Sequence, residues 1–191
     1  MSLTEYELVR KASKGDSSAF EKLMQEQEKK MYSLALFMCD NNYADAQDCV
    51  QDAMLRIFRS IGGFKGDASF STWVYRITVN SCRDFHRRNK SWRTNTTSLD
   101  VMTENGFSPE DDRMQPEEEI LMDELSTDVR DAIVKLPRDM KEAVILRDIH
   151  GFAYEDIASM LQTNVGTIKS RISRGREKLR KEIDSARGAV Q

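Results

Sequence analysis

From the first residues onward the apolar positions recur at steps of three and four rather than two, which predicts helices throughout and an all-α fold. Thr4-Glu5-Tyr6-Glu7 has the form of a capping box, and Gly15 suits the end of the helix it opens. Asp16 can cap a longer second helix, along which Phe20, Leu23, Met24, Met31, Leu34, Ala35 and Met38 form one inward stripe. After the polar break Asp40-Asn41-Asn42, a third helix is predicted over 44–61. It should bury Ala46, Val50, Ala53, Ile57 and Phe58, while Asp48, Gln51, Asp52 and Leu55 share another face. Gly62-Gly63 and Gly66 bracket a loop. A fourth helix then carries Trp73, Tyr75, Arg76, Ile77 and Asn80 toward the basic run Arg83, His86, Arg87, Arg88, Lys90 and Arg93.

Residues 94–119 break this periodicity with Pro109, Pro116 and a surplus of acids that includes Glu110, Asp111 and Asp112, which reads as an acidic, flexible linker between two small domains, 1–93 and 120–187. Helical spacing returns near Ile120, continues through Val129, Ile133 and Leu136, and is punctuated at Pro137 and Gly151. Tyr154–Leu161 and the segment from Asn164 onward then make two helices around a tight turn, the pattern of a helix-turn-helix. Asn164 can cap the second of these, and Ile168, Ile172, Gly175, Leu179 and Ile183 mark its inward face. Thr167, Ser170, Arg171, Arg174 and Lys178 lie away from that face, so small polar and cationic groups can meet base edges and phosphates with no acid intruding.

Composition narrows the function. The 191 residues are 39% hydrophobic and 32% charged, enough for one ordinary or two small helical cores. The N-terminal sequence lacks a basic region followed by an apolar core, and no apolar run approaches spanning length, so the expected location is the cytoplasm, with no membrane insertion. A net charge of −3 and a pI near 5.6 disfavour strong unaided DNA binding, which points to local basic patches or a partner. Cys39, Cys49 and Cys82 contain no C-x-x-C pair and read as reduced thiols acting as small apolar residues. His86, four residues after Cys82, would complete two ligands where a structural site needs four, so no metal and no cofactor are expected. No convergent acid, base or nucleophile marks an enzyme. Phe64, Phe70, Trp73 and Tyr75 beside the basic run suit unpaired bases, which stack on aromatic faces, although two of these four rings are expected in the core. A stand-alone helix-turn-helix regulator is the alternative reading, and it would need its own affinity for duplex DNA.

Four segments, in this order, resemble the extracytoplasmic-function (group IV) sigma factors of bacterial RNA polymerase. They are Asp45-Ala46-Gln47-Asp48-Cys49-Val50-Gln51-Asp52, Phe64-Lys65-Gly66-Asp67, Phe70-Ser71-Thr72-Trp73-Val74-Tyr75-Arg76-Ile77 and Val165-Gly166-Thr167-Ile168-Lys169-Ser170-Arg171. The resemblance covers nearly the whole chain. It implies a four-helix sigma-two-like domain that binds the clamp of core RNA polymerase through Asp48, Gln51, Asp52 and Leu55. The same domain would read and melt the minus-ten promoter element with Phe64, Lys65, Asp67, Ser69, Phe70, Trp73, Arg76, Asn80, Arg83, Arg87 and Arg88. It further implies a sigma-four-like domain that contacts the polymerase flap and reads the minus-thirty-five element through Thr167, Ser170, Arg171, Arg174 and Lys178. Promoter DNA and an anti-sigma protein are the other partners it implies, in a stress or envelope response, and the subunit would not itself be an enzyme. The acidic linker is expected to occupy a basic polymerase channel. Two positions depart from the family pattern: Ala153 where Ser or Thr commonly caps, and Gln162 at a turn position often held by Gly.

Overall fold

A computed structural model of the chain describes residues 3–95 and 127–188. Among them every regular element is helical: α1 Leu3–Ala12, α2 Ser17–Met38, α3 Tyr43–Ser60, a 3-10 turn Ile61–Gly63, α4 Phe70–Asn95, α5 Thr127–Val134, α6 Arg138–Val144, a π-helical turn Ile145–Ile149, α7 Tyr154–Met160 and α8 Val165–Gly188. Residues 94 and 95 close α4. The rest of the expected linker, and the chain up to residue 126, lie outside the described residues.

The boundaries follow from local chemistry. Gly15, at φ +91°, ends α1 as the left-handed residue of a Schellman motif, with Gly15 N–H donating to the Ala12 carbonyl and Asp16 N–H to that of Lys11. The Asp16 carboxylate then accepts from Ala19 N–H at 3.0 Å and starts α2, and Asn42 Oδ1 accepts from Asp45 N–H at 3.1 Å and starts α3. Between them Asp40 and Asn41 both take left-handed conformations, at φ +56° and +62°, which Asp and Asn tolerate better than most residues. Thr4 does not cap α1 as expected, because the helix already includes Leu3.

Met31, Leu34 and Phe37 of α2, Ala53 and Ile57 of α3, and Val74 and Val79 of α4 are wholly buried and form the N-terminal core. Phe58 departs from the periodic expectation: it is 48% exposed, its ring meeting Phe20 edge-on at 5.1 Å on the surface. In the C-terminal half α8 lies across α6 and α7 over Val144, Ile145, Ile157, Met160, Ile168 and Ile172. Gly175 makes that crossing possible, since a Cβ there would stand 2.6 Å from Val144 Cγ2.

The two halves pack together. Tyr75 meets Phe152 and His150 at ring-centroid distances of 4.6 and 5.1 Å, and its hydroxyl is hydrogen-bonded to His150 Nδ1 at 3.0 Å. Arg83 Nε donates to both oxygens of buried Glu142 at 3.1 and 3.2 Å, and the buried ammonium of Lys141 pairs with Asp40 at the end of α2. Glu142 and Lys141 are thereby shielded from solvent while the halves remain docked, whereas Arg83 and Asp40 stay partly exposed.

Candidate nucleic-acid interface

The outer face of α3 carries Asp48, Gln51 and Leu55 in the open, with Asp52 half-buried one turn from both Asp48 and Leu55. Leu55 is 51% exposed, and Phe58 on the same helix is also exposed. Apolar side chains held in water beside carboxylates suit a protein partner better than a phosphate backbone. Arg56 Nε pairs with Asp52 at 3.0 Å and its Nη1 with Asp84 at 2.8 Å, so α3 is braced against α4 just behind this face.

The loop 64–69 and the start of α4 form the second surface. Ser69 Oγ accepts from Thr72 N–H at 3.0 Å and so caps α4, which sets the direction in which Trp73, Arg76 and Asn80 project. Phe64 and Trp73 are partly exposed, their ring centroids 5.3 Å apart. Phe70, named with them from sequence, is 1% exposed beneath both rings, and Tyr75 is likewise buried, so these two aromatics serve the core in this arrangement. Lys65, Asp67, Ser69 and Arg76 are exposed, and Asn80 is half-buried. The basic run is less free than its composition suggests. Arg83 is held by Glu142, and Asp84, inside the run itself, pairs with Arg87 at 3.1 Å, leaving Arg88 exposed beside them.

The helix-turn-helix forms the third surface. Asn164 Oδ1 accepts from Thr167 N–H at 2.7 Å, making it the cap of α8. Ala153 caps α7 with no side-chain hydrogen bond, and Gln162 adopts φ +52° in the turn, so both departures from the family pattern have a local structural cost. Ser170, Arg174 and Lys178 point into solvent and Thr167 is half-buried. Arg171 is not clear of acids as the sequence suggested: its Nε lies 3.3 Å from Asp139 of α6. Sequence reasoning also passed over Lys169, exposed on α8 with its ammonium 5.9 Å from the Tyr154 ring centroid; its place between Ile168 and Ser170 was the available signal.

Two groups of titratable side chains lie inside. Burial, and then the charge of Lys30, pulls His150 from 6.5 down to about 4, while burial pushes the Tyr75 phenol up. Cys39, Cys49 and Cys82, far apart in the chain, converge between α2, α3 and α4 with their sulfurs all within 4.8 Å of one another. Cys49 is held below the usual thiol range by thiol hydrogen bonds from Cys39 and then Cys82. Among the described residues no helix is long and apolar enough to cross a membrane.

Residues 14–92 match the family described as Sigma-70 region 2, and residues 126–179 match Sigma-70, region 4. The RNA polymerase sigma-H factor of Pseudomonas aeruginosa is 35% identical over 180 residues, 93% of this chain and 92% of that one. The ECF RNA polymerase sigma-E factor of Haemophilus influenzae is 35% identical over 95% of this chain and 96% of its own length, and that of Escherichia coli K12 34% over 95% of each. Among solved structures, the sigma factor RpoE of Bartonella quintana, bound to the anti-sigma factor NepR, shares the fold at a TM-score of 0.68 and 22% identity, covering 86% of this chain and 96% of that one. CnrH, bound to the cytosolic domain of CnrY, does so at 0.67 and 22%, covering 95% and 98%. Two region matches in the right order, with relatives aligned almost end to end, identify the chain as an RNA polymerase sigma factor of the sigma-70 family, in its extracytoplasmic-function group.

Proposed function

We propose that the chain docks on core RNA polymerase through the exposed face of α3 and directs it to promoters. Asp48, Gln51, Asp52 and Leu55 would meet the clamp. Phe64, Trp73, Arg76 and Asn80, with the neighbouring cations, would hold the melted minus-ten strand, and Thr167, Ser170, Arg171, Arg174 and Lys178 on α8 would read the minus-thirty-five duplex. The observation that carries this reading is that the matched regions 2 and 4 coincide with the two helical units bearing these surfaces. The acidic face with exposed Leu55 supports a protein partner, and the open cations of α8 support DNA. The domains would be 1–93 and 120–187, joined by an acidic segment. The chain would act by binding, leaving catalysis to the polymerase, in the cytoplasm where that enzyme works.

Reading both elements requires the docked halves to separate. The elements lie about 25 base pairs apart, roughly 85 Å at ~3.4 Å per pair, whereas here Tyr75 touches Phe152. An anti-sigma protein is the expected regulator, a reading supported by the two structural relatives, both solved with such a partner or with a second chain's cytosolic domain. The test is direct binding of the chain to core polymerase at moderate salt, beside the Asp48→Arg/Asp52→Arg double variant. Reversing two charges at a complementary interface should weaken binding at least ~30-fold with helicity unchanged. An intact, folded chain that does not bind core polymerase refutes the reading.

A further inference from the structure

The three cysteines hold an arrangement that apolar packing does not require. Cys39 closes α2, Cys49 lies in α3 and Cys82 in α4, at 3%, 1% and 0% exposure. The sulfurs of Cys39 and Cys49 are 3.7 Å apart, and all three lie within 4.8 Å of one another. With a metal–sulfur bond of ~2.3 Å, thiolates around one ion stand ~3.8 Å apart in a tetrahedral shell and ~4.0 Å apart in a trigonal one. The Cys39–Cys49 separation already matches those values and no other exceeds 4.8 Å, so one ion could join the trio if the sulfurs closed by at most about 1 Å. A disulfide, by contrast, needs sulfurs at ~2.05 Å and leaves the third thiol unused.

His86 adds a second observation. It follows Cys82 by one turn of α4, and its Nε2 lies 2.8 Å from the carbonyl oxygen of Met38, the residue before Cys39. A carbonyl can only accept, so Nε2 carries the proton and the neutral ring keeps its lone pair on Nδ1. An imidazole whose far nitrogen donates to a backbone carbonyl has the tautomer and support typical of metal-bound histidines. Charge selects the ion. Three thiolates with a monovalent cation would leave two negative charges in the core, whereas a divalent cation leaves one.

We infer that Cys39, Cys49 and Cys82 form a thiolate site for one soft divalent cation of the zinc type, with His86, which stands outside the trio as the side chains now lie, able to complete the shell only by moving toward it. Binding forms three metal–sulfur bonds, and each sulfur that still carries a proton releases it to solvent. No electron is transferred. The ion would tie together α2, α3 and α4 directly behind the acidic face of α3, since Asp48 and Asp52 flank Cys49 in sequence.

The experiment uses the full chain, reduced and stripped with a chelator, and titrates it with Cd2+ alone. Thiolate-to-cadmium charge-transfer absorption in the ultraviolet reports sulfur ligation. The expected result is saturation at one ion per chain, loss of the band when Zn2+ displaces Cd2+, and a higher melting temperature of the Zn2+ form. Cys82→Ala and Cys49→Ala should each lower Cd2+ affinity at least ~100-fold, with helicity and metal-free melting checked first. Should either variant fail to fold, Zn2+ protection of all three thiols from alkylation in the unaltered chain, counted by mass, decides the matter. Absence of the band at one equivalent, its persistence in folded Cys82→Ala, or unprotected thiols in the zinc-treated chain overturns the inference.

Discussion

Arg83 and Glu142 offer the sharpest probe of how the two halves hold together. The Glu142 side chain is 3% exposed and accepts from Arg83 Nε at 3.1 and 3.2 Å and from Arg138 Nε at 3.0 Å. Arg138 shares α6 with Glu142, so of the bonds Glu142 accepts those from Arg83 are the ones that cross between the halves. A hydrogen bond to a charged group contributes about 1.5–3 kcal/mol, and with Arg83 28% exposed, solvent screening lowers this to about 1–2 kcal/mol. Arg83→Gln should therefore raise the ratio of separated to docked chains about 5- to 30-fold. Dyes on cysteines introduced at Glu28 and Lys178, both exposed, would read that ratio as a distance distribution in single molecules. If core polymerase takes only the separated form, its apparent affinity rises by the same factor, because the docked population no longer withholds the chain. Glu142→Gln and the double variant complete a cycle whose coupling should be about 1–2 kcal/mol. Single effects that add to within about 0.3 kcal/mol, or an unchanged distance distribution in Arg83→Gln, would mean that this ion pair does not hold the halves together.

Other expectations are local. His150 titrates at about 4 when buried and at 6.5 when free, so the separated or unfolded chain binds more protons between those values; docking is fully favoured above 6.5 and weakens as pH falls toward 4, the same dye pair should report it, and His150→Gln should flatten the profile. Gly175→Ala sets a methyl 2.6 Å from Val144 Cγ2 and 3.5 Å from Met140 Cβ and should cost about 1–3 kcal/mol in urea unfolding, whereas an unchanged midpoint would mean that α8 can shift off α6. Gln162→Gly relieves a left-handed conformation that costs an ordinary residue about 1–2 kcal/mol, against some added freedom of the unfolded chain, for a net stabilisation of up to about 1 kcal/mol.

The helices and their caps were legible because their causes are local. Asp16, Asn42 and Asn164 each accept from an N–H three residues on, and the buried stripe of α2 follows the 3.6-residue period. Periodicity alone misplaced Phe58, because the third helix turns that position outward onto Phe20. What stayed hidden depends on distant partners. No local pattern singles out Lys141 or Glu142, yet each is buried beside a counter-ion 101 or 59 residues away. The cysteines show no ligand spacing along the chain because three helices, not a loop, bring them together. Exposed site residues such as Arg76, Arg174 and Lys178 were legible as surface groups, while the acids that engage Arg83, Arg87 and Arg171 were not.

Those acids alter how the chain would feel salt. A free arginine that meets a phosphate releases a condensed counterion, which makes binding steeply dependent on ionic strength, by ~0.7–0.9 in the logarithmic slope per contact. Arg83, Arg87 and Arg171 already have carboxylate partners, so if they meet DNA as proposed, phosphate would have to displace Glu142, Asp84 or Asp139, exchanging one bound anion for another. The protein's own acids would thus act as built-in competitors for phosphate, and the gain in affinity on dilution of salt would fall mainly to Arg76, Arg88, Arg174 and Lys178, which are exposed. Nonspecific duplex is penalised most, because it offers little beyond charge.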